Sequence, residues 1–145
     1  MYKLIPVIFI LSALQFTNCI DITDFGPNLM KDYKRIHDNC VALTGATDGM
    51  IGEVKDGVFN DENDIIKEYT ACIWLNVGVI DSKLNMNLEK MAYYWPSKIS
   101  PDQISIYATC IKNAREETKL TTTVEKIWGI AKCIEDEIPE DHIFF

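Results

Sequence analysis

The sequence predicts an all-α fold: a compact bundle of about six helices stapled by two disulfides. Three observations carry this expectation. Apolar residues recur at helical spacing through most of the chain, and no stretch alternates convincingly as a strand. The breaks between periodic segments carry capping chemistry, most clearly Ser100-Pro101-Asp102-Gln103 and Thr122 with Glu125. Beyond residue 19 the chain has four cysteines, Cys40, Cys72, Cys110 and Cys133. An even count in an exported domain implies two bridges.

Export is read from the first residues, MYKLIPVIFILSALQFTNC. Lys3 supplies a positive start, residues 5–14 are an almost unbroken apolar run, and Thr17 and Cys19 suit a cleavage site before Ile20. Residues 1–19 are therefore read as a secretory signal peptide. The run is shorter than the about 20 apolar residues of a membrane span. A lipoprotein signal also ends at cysteine, but Thr17 and Asn18 fit it poorly. The expectation is one secreted domain over residues 20–145, with no membrane insertion. The full sequence has 22 acidic residues against 14 basic ones, and losing Lys3 deepens the imbalance. An acidic surface argues against nucleic acid and anionic membrane as partners.

The elements follow in order. Pro27 after Gly26 opens a helix with Leu29, Tyr33, Ile36 and Cys40 on one face. A short helix over 48–55 carries Ile51 and Val54. GVFNDEND, residues 57–64, reads as a loop. The next helix spans 63–76, with Ile65, Tyr69, Cys72 and Leu75 inward, and Gly78 ends it. Asn85 and Asn87 offer caps for a helix bearing Leu88, Met91, Ala92 and Trp95, which Pro96 stops. The capping box at Ser100 opens a helix presenting Ile104, Tyr107, Ile111 and Ala114. The box at Thr122 opens one with Val124, Ile127, Trp128, Ala131 and Ile134 on a single stripe. Pro139 follows, and the chain finishes IPEDHIFF.

The four cysteines are separated by 31, 37 and 22 intervening residues. Zinc sites usually bring cysteines in close pairs, so bridges are the better reading, with three connectivities open. A Cys40–Cys72 bridge would clip the first long helix to the third. A Cys110–Cys133 bridge would clip the last two helices, which a short loop makes antiparallel neighbours.

Two stretches carry a family resemblance. CIWLNVGVIDSKLNMNLEK, from Cys72, resembles the stretch after the third cysteine of insect odorant-binding proteins. VEKIWGIAKC, ending at Cys133, is similar to the segment that ends at their sixth. That family usually has six cysteines, paired first to third, second to fifth and fourth to sixth. Glu68 and Val124 stand where its second and fifth cysteines would be, so both members of one bridge are absent together. This resembles the Minus-C subgroup. The resemblance implies Cys40–Cys72 and Cys110–Cys133 pairing. It leaves Glu68 either a solvated side chain or a polar group at a cavity mouth.

The resemblance also implies an apolar cavity between the helices that binds small hydrophobic molecules. Trp128 is the leading lining candidate, on a stripe with Val124, Ile127 and Ala131 where the family often has an aromatic residue. Ile51, Val54, Tyr69, Ile73, Leu88, Met91, Tyr107, Ile111 and Phe144 complete the candidate set. Bulky aromatics spread over several helices, and flexible methionines such as Met50, Met86 and Met91, suit such a surface. The apolar end Ile143-Phe144-Phe145 either folds over the cavity or frays. Burying about 200–300 Å² of ligand would contribute roughly 5–8 kcal/mol before ordering costs, hence micromolar affinity.

Catalysis has little support in these residues. His37, beside Asp38, reads as a surface residue, and His142 lies in the acidic tail. No Gly-x-Ser-x-Gly, His-Glu-x-x-His or Gly-rich phosphate loop occurs. DENDIIKEY has calcium-ligand residue types, but Ile65 and Ile66 stand where a calcium loop needs a ligand and a glycine. No enzyme activity, metal or cofactor is expected. The implied partners are a small hydrophobic organic ligand and a membrane chemoreceptor, with the protein a monomer or weak homodimer. Rival readings are a scavenger in saliva, venom or reproductive fluid, and a helical signalling protein with a packed core.

Overall fold

The computed structural model describes residues 27–94 and 100–139. The expected signal peptide, Trp95, Pro96, His142 and the apolar tail including Phe144 lie outside them. Six helices follow one another: α1 (Pro27–Thr44), α2 (Asp48–Lys55), α3 (Asp64–Val77), α4 (Leu88–Tyr94), α5 (Pro101–Glu116) and α6 (Thr123–Glu137). Among the described residues the one extended pairing is an isolated antiparallel bridge, Ile80 to Met86.

Local chemistry places the helix ends. The Thr47 hydroxyl accepts from Met50 N at 3.3 Å and starts α2. Asn63 does the same for Ile66 N at the head of α3. Gly78 ends α3 in the left-handed region, at φ 76°, and its N–H donates to the Trp74 carbonyl. The boxes at Ser100 and Thr122 are both closed, side chain to backbone in each direction. Between α3 and α4 the Asp81 carboxylate accepts from Lys83 N, Asn85 N and Asn85 Nδ2. This knots residues 81–85 into a tight turn. Leu84 sits within it at φ 61°, rare for a residue with a Cβ, and is held there by burial.

The bundle is organised around α3. It packs against α1 on one side and α6 on the other, and α5 packs on α6. Buried side chains form two clusters. One joins Leu29 and Ile36 of α1, Ile51 and Val54 of α2, Ile66, Tyr69, Ile73 and Val77 of α3, Tyr94 of α4 and Trp128 of α6. The other joins Ala71 and Trp74 of α3, the turn residues Ile80 and Leu84, and the inner faces of α5 and α6. Trp74 stacks on Tyr107, with centroids 6.4 Å apart, tying α3 to α5.

Both disulfides link the pairs that the resemblance implies, Cys40–Cys72 and Cys110–Cys133, each with Cα atoms 5.7 Å apart. The first clips α1 to α3 and the second α5 to α6.

The inward face of α3 differs from the sequence expectation. Ile65 and Leu75 are exposed and Cys72 is half-buried, while Ile66, Ala71, Ile73, Trp74 and Val77 point inward with Tyr69. A single-stripe reading assumes one buried face, but α3 is covered on two sides. On α4 only Met91 and Tyr94 are buried. Leu88 is 68% exposed and Ala92 is exposed as well, because this short helix approaches α1 alone among the closely packed helices. Ile104, expected inward on α5, is exposed as well.

Candidate functional site

Two successive helices, α2 and α3, and the distant α6 bring candidate lining residues to one apolar interior. α2 contributes Ile51 and Val54, α3 contributes Tyr69 and Ile73, and α6 contributes Trp128, all in the first cluster. Tyr107, Ile111 and Ile127 belong to the second cluster, with Val124 half-buried against it. Met91 and Ala131 are buried too. Leu88 stands apart from this interior on the outer face of α4, and Phe144 lies outside the described residues.

The polar groups that reach the interior are each engaged. The fully buried Tyr69 places its hydroxyl 2.7 Å from His37 Nδ1, and the two rings meet edge to face. His37 is thus half-buried rather than a surface residue. Burial, with the nearby Tyr33 and Asp48, raises the Tyr69 hydroxyl well above the ordinary tyrosine range. Tyr94 donates to Asp32 Oδ2 at 2.8 Å, which ties α4 to α1. Burial, then that bond, pushes Tyr94 up to about 12, and the same bond with Arg35 holds Asp32 below its usual range. Buried Thr70 donates its hydroxyl to the Ile66 carbonyl within α3.

Trp128 faces both ways. Its ring belongs to the α1–α4 cluster, while its Nε1 donates outward to Asp61 Oδ1 at 2.7 Å. Lys132 Nζ donates to both Asp61 oxygens, at 2.6 and 2.8 Å. Phe59 meets the indole edge-on at 4.9 Å. The Lys132 and Trp128 bonds hold the Asp61 carboxyl below its ordinary range. Asp61 and Phe59 escaped the sequence reading because their partner lies 67 positions away from Asp61. The DENDIIKEY stretch instead divides its work: Asp61 holds α6, Asn63 caps α3, and Asp64 favours its first turn.

Glu68 is exposed, as a solvated side chain would be. Among the described residues, grooves open at the surface in at least two places. One, of about 340 Å³, runs along the Cys110–Cys133 bridge between α5 and α6. Another, of about 430 Å³, lies where the segment before α3 meets α6 and is lined by Asp61, Lys67, Leu120, Trp128 and Lys132 among others. With all four described cysteines bridged, none is a free thiol nucleophile. The apolar interior carries few polar groups, and Tyr69, Thr70 and Tyr94 among them are held by hydrogen bonds.

Residues 23–137 match the PBP/GOBP family. Among solved structures, the chain is similar to the odorant binding protein lmigOBP1 of Locusta migratoria, at 21% identity and a TM-score of 0.64. That match covers 80% of this chain and 86% of the other. It is also similar to odorant binding protein 5 of Apis mellifera, at 17% identity and a TM-score of 0.62, covering 88% and 99% respectively. At these identities the structural likeness establishes a shared fold.

Proposed function

The chain belongs to the PBP/GOBP family, and from that premise we propose that it is a secreted carrier of small hydrophobic molecules such as odorants or pheromones. The carrier takes up its guest by reversible burial, moves it through extracellular fluid and releases it unchanged. The observation that carries the reading is the convergence of Ile51, Val54, Tyr69, Ile73 and Trp128, from three helices, on one apolar interior. Secretion is supported by the apolar run at residues 5–14 and by the two disulfides, which persist in oxidising compartments. Among the described residues no helix is long and apolar enough to cross a membrane. Glu68 and Val124, at positions where cysteines of one family bridge would stand, support placement in the two-bridge Minus-C subgroup.

A titration with the apolar fluorophore N-phenyl-1-naphthylamine, followed by displacement with candidate volatiles, tests this. One saturable site of roughly micromolar affinity is expected, as apolar burial less ordering costs predicts. Absence of saturable uptake by the folded protein would remove the carrier reading. A signalling protein with a packed core predicts that second result.

A further inference from the structure

We propose that the segment after α2 is a strap latched across α6 by Asp61, and that release of this latch sets how fast guests pass in and out. The proposal rests on the carrier reading. Three contacts fasten the strap, from alternate residues of the segment. Gly57, at φ 77°, lies so close to α6 that an added Cβ would stand 2.6 Å from Glu135 Oε1. Phe59 packs edge-on against the Trp128 indole. Asp61 accepts from Trp128 Nε1 and from Lys132 Nζ. On α6 these partners are residues 128, 132 and 135, a spacing that puts them on one helical face.

The strap covers a thin wall. Trp128 belongs to the interior cluster on one side and lines the groove of about 430 Å³ on the other. At this seam the Trp128 side chain reaches from the interior cluster to the groove. The helix that the strap follows is loosely held: α2 approaches no other helix as closely as α1, α3, α5 and α6 approach their neighbours. Its anchors are the side chains of Ile51, Val54 and Met50, the buried Ala46 just before it, and the strap itself. Swinging α2 outward would break no disulfide, since both bridges join other helices. The Asp61 carboxylate is 61% exposed, so water can replace its partners when the latch opens, which keeps the opening barrier low. The arrangement also uses the indole N–H outward, so that the interior meets only the apolar ring.

The test compares wild type with D61N, D61A and K132M, using stopped-flow uptake and release of N-phenyl-1-naphthylamine. Near-ultraviolet circular dichroism confirms that each variant is folded. In D61A both rates should rise by about tenfold, equivalent to about 1.4 kcal/mol off the barrier. D61N should fall between D61A and wild type, and Kd should hardly change. Uptake by wild type should quicken with salt, because an exposed ion pair is screened, and D61A should lose that dependence. Hydrogen exchange should rise at residues 57–61 but not in α5. Unaltered rates in folded D61A, or a change confined to Kd, would overturn the strap while leaving the carrier intact. A wild-type protein that takes up no probe would remove the carrier reading and the strap with it.

Discussion

Replacing Cys40 and Cys72 together by alanine should cost this protein a large part of its stability. The bridge closes a sequence separation of 32 residues. The chain-entropy relation assigns such a loop about 3.7 kcal/mol at 25 °C. The Cys110–Cys133 bridge, with a separation of 23, is assigned about 3.4 kcal/mol. Loop length enters logarithmically, so the two removals should cost nearly the same although they free different helix pairs. Over the roughly 110 described residues the unfolding entropy is about 0.23 kcal/mol/K, which turns each loss into a Tm drop of about 15 °C. Cys40 and Cys110 are also fully buried, so truncation to alanine leaves small voids that act in the same direction. Urea unfolding of the two double variants, read with thermal melts, measures both costs, and the m-value reports whether the denatured chain expands. A loss under about 1 kcal/mol for either pair would refute the reasoning. It would mean that the reduced chain keeps those helices together without the bond.

Three further outcomes follow from particular contacts. Gly57→Ala should destabilise by about 1–2 kcal/mol, since residue 57 has φ 77° and its Cβ would meet Glu135; chemical denaturation measures this, and a neutral result would show both that the backbone at residue 57 relaxes out of the left-handed region and that Glu135 swings aside. Thr122→Ala should cost about 1 kcal/mol by opening the capping box of α6, seen as a lower urea midpoint with unchanged m-value. Alkali should loosen the α1–α4 tie. Tyr94 is pushed up to about 12 in the folded protein, so its contribution is complete below the unfolded tyrosine value and declines as pH rises from about 10 through about 12. A pH series of thermal melts should show that decline, and Tyr94→Phe should lessen it, leaving the part that the buried Tyr69 contributes.

The legible part of this structure is the part written in neighbouring residues. Thr122 with Glu125, Ser100 with Gln103, Asn87 and Gly78 act within one helical turn, so their consequences can be read without knowing what lies across the bundle. The bounds 48–55 for α2 were readable for the same reason. The bridge pairing came from a resemblance, because spacing leaves three connectivities equal. On α3 periodicity misassigned Ile65 and Leu75, as a helix buried on two sides has no single stripe to find. Of the candidate lining set, Ile51, Val54, Tyr69, Ile73 and Trp128 come together, while Leu88 faces water on a helix with one near neighbour.

By itself, then, the sequence determined the helices, the caps that start several of them, the disulfide count and the apolar inventory, since each depends on interactions within a few residues or on composition. Only the tertiary structure decided that α3 sits at the centre, that His37 meets Tyr69 and that Asp61 fastens the chain across Trp128. Those contacts join residues tens of positions apart, and which of many polar pairs survives is settled by the packing of whole helices rather than by any local preference.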